Sequence, residues 1–192
     1  MKDTKTEESN TRQSPSKASL KRPAFILPNS KAHLTFWSLM AGGLVLDLWT
    51  KKAVFEWLEY GETFPIIDGF LQLVRALNNG AAFGLFAGKS YLLTATSIIA
   101  LIVIFGIFLF SGSRQKSVHI ALGLFVAGVC GNLYDRIFND GLVRDFIDVY
   151  YQNYHWPAFN VADSLLCIGV GLLIISTFLI EKPARRHAQQ RK

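Results

Sequence analysis

Between Lys89 and Arg114 the chain runs for 24 residues without an Asp, Glu, Lys or Arg. This run limits the fold more than any other feature, because about 20 apolar helical residues span the hydrocarbon layer of a bilayer. Lys116 and Asp135 bracket 18 more such residues, and Asp163 and Glu181 bracket 17. A fourth segment, LTFWSLMAGGLVLDLW, is imperfect: Asp47 lies near its far end, with Lys51 and Lys52 just beyond. The economical reading is an all-α membrane protein with four transmembrane helices. At 192 residues there is room for one domain and no separate catalytic module.

The basic residues orient those spans. With four of them, residues 1–31, the 111–116 loop and residues 181–192 share one side, and these segments hold 14 of the 20 Lys and Arg. The rest of the chain holds 10 of the 14 Asp and Glu. Both termini are therefore expected in the cytoplasm and the acidic groups at the outer face. Residues 1–31 read as a disordered basic tail, 32–181 as the membrane domain and 182–192 as a second basic tail. No apolar core follows the basic start directly, so a cleavable signal peptide is not expected. The net charge of +6 resides mostly in tails and short loops, which suits anionic lipid. No basic stripe with interleaved aromatics points to nucleic acid.

Two outer segments remain. Residues 56–88 contain β-favouring stretches, TFPII and FLQLV, and Asn79-Gly80 supplies the hairpin-turn signal. They predict a small β element lying at the membrane surface. Residues 137–159 are rich in aromatics, among them Phe146, Tyr150, Tyr151, Tyr154 and Trp156, which favour the headgroup layer. Cys130 and Cys167 fall in apolar runs and read as small buried hydrophobes. The four histidines lack metal-ligand spacing, so neither a metal nor another cofactor is expected.

Ionisable groups at the ends of spanning helices are costly unless paired, solvated or in use, and four clusters qualify. Asp47 and Lys51 are four apart and share a helix face, which suits an ion pair fixing the first helix. In NNGAAFG (78–84), Gly80 permits a turn, and Asn78 can both donate to and accept from a peptide backbone. In GNLYDRI (131–137), Asp135 and Arg136 form a structural pair, or else Asn132 and Arg136 point into a site and hold substrate carbonyls.

The fourth cluster is VRDFID (143–148) with FNVADS (159–164). Asn160 and Asp163 lie three apart at the mouth of the last span, with Asp145 in the segment feeding it. Two carboxylates meeting in a partly desolvated site cannot both ionise cheaply. They share a proton, so that one acts as base toward water and the other as acid toward a carbonyl. Such a pair hydrolyses amides with no metal and no Ser, Cys or His nucleophile. Spacing alone does not choose Asp145 over Asp135, Asp140 or Asp148 as the partner of Asp163. It also leaves room for a transporter with Asp47, Asp145 and Asp163 along an ion path, or for a non-catalytic scaffold.

DLWTK, NNGAAF, GNLYDR, VRDF and FNVAD, in this order and at these separations, closely resemble the lipoprotein signal peptidase (signal peptidase II) family from about residue 35 to 180. The resemblance implies an intramembrane aspartyl peptidase of the bacterial inner membrane, with four spans, both termini cytoplasmic and a small outer β cradle. The substrate it implies is a prolipoprotein cut just before a cysteine already carrying diacylglycerol. It assigns Asp145 and Asp163 as the catalytic pair, and Asn78, Asn132 and Arg136 to the polar lining that holds the substrate; Asn160, at the mouth of the last span, is expected to bind substrate with them. Asp47 and Lys51 match a pair read as structural support, Asp148 has no firm counterpart, and Gly80 and Asp135 are expected to be structural support as well; a monomer in contact with membrane lipid is expected.

Overall fold

The computed structural model describes residues 27–81, 84–110 and 115–189. The predicted basic tail lies outside the described residues up to position 26, as does most of the 111–116 loop.

The chain begins with α1 (Ser30–Trp57), whose first turn is capped by Asn29: its side chain accepts a hydrogen bond from the Ala32 N–H at 2.9 Å. The strands β1 (Thr63–Ile67) and β2 (Leu71–Asn78) follow, then α2 (Ser90–Phe110) and α3 (Lys116–Phe138). The strands β3 (Val143–Tyr151) and β4 (Tyr154–His155) precede α4 (Val161–Gln189), which runs well into the segment read as a C-terminal tail. α3 is the central helix and packs against each of the other three.

Among the described residues three helices are long and apolar enough to cross a membrane: Ser90–Phe110, Lys116–Phe138 and Val161–Phe178. α2 shows why the solvent around it is lipid. Tyr91, Ile99, Ile102, Val103 and Phe110 are all exposed along its length. A patch of that extent is far beyond what a monomeric soluble protein presents to water. Without a hydrophobic drive between helices in lipid, association rests on close packing and polar contacts, and the interior shows both. Phe36 of α1, Ile104 and Phe108 of α2, and Leu122 and Val126 of α3 form the apolar core. The Phe36 and Phe108 rings stack with centroids 4.0 Å apart.

Small residues on α3 bring its neighbours in. A Cβ at Gly128 would run into the Ala162 carbonyl of α4, and one at Gly131 into the Asp47 carboxylate of α1. These glycines place a buried carboxylate and the start of α4 at one end of the bundle.

The four strands form one antiparallel sheet in the order β1-β2-β3-β4. The hairpin between β1 and β2 turns at Asp68-Gly69, not at Asn79-Gly80: Gly69 takes φ +76°, and Phe70 N–H donates to the Ile67 carbonyl at 3.0 Å. Asn79-Gly80 instead follows β2 and folds the chain back, with Ala81 N–H donating to Leu85 O at 2.7 Å. The larger departure is that the outer segments do not form separate structures. β2 pairs with β3, opposing Ala76 to Asp145 and Asn78 to Val143. Val54 of α1 and Leu58, which caps its C-terminus, pack with Phe146 of β3 and anchor this sheet to the bundle.

Candidate active site

Two features of local sequence set the carboxylates. Asn160 precedes the first residue of α4, and Asp163 lies in that helix's first turn. Each caps the other: Asp163 N–H donates to Asn160 Oδ1 at 3.0 Å, and Asn160 N–H donates to Asp163 Oδ2 at 3.1 Å. This reciprocal arrangement is a capping box, favoured because a helix start leaves its first N–H groups without partners. It also fixes which way the Asn160 amide faces, leaving its Nδ2 free to donate elsewhere.

Asn160 Nδ2 donates to Asp145 Oδ1 at 2.7 Å and to Asn132 Oδ1 at 3.1 Å. Asp145 Oδ2 accepts from Asn78 Nδ2 across the strand pair at 2.9 Å, while Asp163 Oδ1 accepts from Asn132 Nδ2 at 2.8 Å. Each carboxylate is thus gripped by two amides, with Asn160 common to both. Burial pushes the Asp145 carboxyl up to about 7, and the nearby Asp163 charge adds to the rise. Hydrogen bonds from Asn78 and Asn160 and the charge of Lys51 pull the other way.

Both aspartates line one cavity of about 720 Å³, together with Asn78, Asn132 and Arg136. Arg136 donates to the Gly80 carbonyl at 3.2 Å, and Gly80 N–H donates to Asn78 Oδ1 at 2.9 Å. A Cβ on Gly80 would lie 2.9 Å from Leu85 O, so the turn holding Asn78 in place needs glycine there. The remaining wall includes Ala81, Trp156, Phe159 and Leu166 and is mainly apolar.

Behind the cavity lies an ionic cluster. Lys51 Nζ is 2.8 Å from Asp47 Oδ2, 3.3 Å from Asp135 Oδ2 and 3.1 Å from Asn132 Oδ1, and the Lys51, Asp47 and Asp135 side chains are fully buried. Asp47 Oδ1 accepts from the Ala162 N–H at 2.8 Å. Asp135 pairs with Arg144, not with its neighbour Arg136: Arg144 Nη2 is 2.6 Å away, and the Arg144 N–H donates to the same carboxylate at 2.9 Å. This corrects the Asp135–Arg136 pairing, because adjacent helical residues point about 100° apart and do not face each other.

The other candidate partners of Asp163 are occupied elsewhere. Asp140 is exposed in a turn at φ +50°. Asp148 is buried with Gln72 Nε2 at 2.7 Å and His155 Nδ1 at 2.8 Å, and it does not line the cavity. Sequence reasoning missed the Asp148 and Asp135 partners and the apolar wall; only the tight VRDF spacing hinted at Arg144. It also misplaced the cysteines. Cys130 packs partly buried against the core, but Cys167 is exposed and lines the cavity. Among the described residues no group of His, Cys, Asp and Glu is arranged to hold a metal ion.

A model of the signal peptidase II family matches residues 39–179. The chain is similar to the lipoprotein signal peptidase of Halalkalibacterium halodurans, 40% identical over 146 residues that cover 74% of this chain and 91% of that one. It is likewise 41% identical to the lipoprotein signal peptidase of Geobacter sulfurreducens over 150 residues, covering 77% and 93%. A bacterial membrane enzyme solved by the in meso method at 2.3 Å superimposes with a TM-score of 0.72 at 32% identity, covering 83% of this chain and 94% of that one. A second such structure, at 1.9 Å, gives 0.67 at 32% identity, with 80% and 96% covered.

Proposed function

The chain belongs to the signal peptidase II family, and we propose that it is the aspartyl endopeptidase that frees prolipoproteins of their signal peptides, with Asp145 and Asp163 as its catalytic pair. The cut falls before the cysteine that carries diacylglycerol. The observation that carries the assignment is the shared residue Asn160: its side-chain Nδ2 donates to Asp145 and its backbone N–H to Asp163, at the wall of one cavity. No other pair of aspartates among the described residues is presented in this way.

The environments give the two groups different tasks. Asp145 holds the shared proton, because burial and the Asp163 charge favour its neutral form. Asp163, ionised, takes a proton from water as that water attacks the scissile carbonyl carbon, while Asp145 protonates the carbonyl oxygen. In the collapse of the tetrahedral intermediate, Asp163 gives its proton to the departing nitrogen and Asp145 recovers one from the hydroxyl. Asn78, Asn132 and Asn160 hold the carboxylates in register, and Arg136 and Asn78 line the wall where substrate backbone carbonyls lie.

In this reading α1 is the fourth span. Its 28 residues reach about 42 Å; Asp47 and Lys51 are turned fully inward to partners, and Lys31, Lys52 and Glu56 lie toward its ends. The protein is a multi-pass monomer of the inner membrane, residues 1–31 and 182–192 are cytoplasmic tails, and the sheet lies at the outer surface. The signal helix of the substrate lies along the bundle while its acyl chains stay in lipid. The deciding test is cleavage of a diacylglyceryl-modified prolipoprotein peptide in detergent by wild type, Asp145→Asn and Asp163→Asn. Cutting before the lipidated cysteine by wild type alone is expected; a normal rate from either variant would refute the pair.

A further inference from the structure

Asn132 is the contact between the buried ionic cluster and the cavity, and its side-chain amide has two possible orientations. Lys51 Nζ carries three N–H donors and faces three acceptors: Asp47 Oδ2, Asp135 Oδ2 and Asn132 Oδ1. An ammonium cannot accept a hydrogen bond. Asn160 Nδ2 also donates to Asn132 Oδ1. Flipping the Asn132 amide would set its NH₂ against these two donors and its oxygen against the Asp163 carboxylate. Both ends would then be unsatisfied in a buried place, at a steep energetic cost.

We propose that Lys51 is a positioning residue for the reaction: by holding Asn132 Oδ1, it keeps Asn132 Nδ2 donating to Asp163. This rests on the Asp145–Asp163 reading and adds to it, since an ion pair that merely fastens α1 to α3 would need no contact with Asn132. Lys51 therefore does two separable things. Its ion pair with Asp135 joins α1 to α3, and its bond to Asn132 orients the base. The charge of Lys51 also reaches Asp145, which is faced in addition by Asp163 from α4, Arg136 from α3, Asn78 from β2 and the capping Asn160.

The two roles separate in a background where loss of the cation leaves no new unpaired charge. Asp47→Asn with Lys51→Met removes one charge of each sign, and Asp135 keeps Arg144. The full chain in detergent is assayed on a diacylglyceryl prolipoprotein peptide, comparing Asp47→Asn with Asp47→Asn/Lys51→Met. The double variant is expected to lose at least about tenfold in kcat with KM within about threefold. Its alkaline limb moves to higher pH, because a cation that favours the charged form of Asp145 has gone. Equal kcat, whatever the melting temperature or the position of the limb, would overturn the proposal. If the Met variant does not fold, Lys51→Gln in the same background takes its place. Its amide can still donate to Asn132, so kcat falls less while the limb still rises; an unmoved limb overturns the proposal there too. Normal cleavage by Asp145→Asn would instead remove the dyad reading beneath it, a result distinct from either of these.

Discussion

Asn160 Nδ2 lies 2.7 Å from Asp145 Oδ1, so the residue that starts α4 also grips a carboxylate on β3. The helix cap, the sheet and the site therefore share one side chain. Asn160→Ala removes the cap, which costs about 1 kcal/mol, and leaves buried Asp145 short of a donor, which costs about 1–3 kcal/mol more. A lower melting temperature is expected together with a fall of at least about tenfold in kcat. Asn160→Asp restores the cap but sets a third carboxylate beside the pair, so it should recover stability in part and leave activity low. Thermal melts and peptide cleavage on the same samples check both.

The raised Asp145 sets the pH dependence of stability. Its folded pKa of about 7 lies above the ordinary 3.8, so the folded state binds more protons than the unfolded state between those values. Stability from this group is full below about 4, declines as pH rises through 7, and is flat beyond. The total decline is on the order of 4 kcal/mol. Melting temperature should fall from pH 5 to pH 7.5 in wild type and fall less in Asp145→Asn. An equal decline in both would show that Asp145 is not the group responsible.

Activity has its own window. The proposed chemistry needs one proton on the pair, so the rate drops above about pH 7 as Asp145 loses it. Asp145→Asn and Asp163→Asn should each lower kcat on the order of 10³-fold or more, with the lipidated peptide still bound. A pH–rate profile of kcat/KM and a binding assay with the inactive variants supply the measurements.

Much of this was legible in the chain, for reasons that differ by element. α2 was plain because 24 uncharged residues in lipid have one outcome. Asp47 and Lys51 were legible because four residues on a helix is a local relation, and the pair forms at 2.8 Å. The sheet was not, since strand pairing is non-local. Asn79-Gly80 is as good a turn dipeptide as Asp68-Gly69, and nothing near β2 announces that Asn78 will oppose Val143. The choice of Asp145 came from motif resemblance. Spacing could not supply it, because what separates Asp145 from Asp148 is the amides each meets, Asn78 and Asn160 against Gln72.

The approach of α1 to α3 depends on the absence of one methyl group. A Cβ at Gly131 would collide with the Asp47 carboxylate, which cannot yield without leaving Lys51 or Ala162. Gly131→Ala is expected to destabilise by about 1–3 kcal/mol and to reduce cleavage through the displaced start of α4. Gly42→Ala, on an open face of α1 with nothing within 4 Å, is the control and should melt at or slightly above wild type. Similar melting of the two variants would show that Gly131 is not a tight contact.

Cys167 tests the extent of the cavity without touching the proposed chemistry. Its thiol is exposed and lines the same space as the two aspartates, one turn beyond Asp163 on α4. Cys130 packs partly buried against the apolar core, where a reagent reaches it less readily. A small maleimide should therefore modify Cys167 far faster than Cys130 and, by filling part of about 720 Å³, exclude the peptide. Cleavage should fall on labelling in wild type and persist in labelled Cys167→Ala. Mass spectrometry locates the adduct. Full activity with Cys167 quantitatively modified would mean that the substrate does not use this part of the cavity, and the scissile bond would then have to approach from the Asn78–Gly80 side.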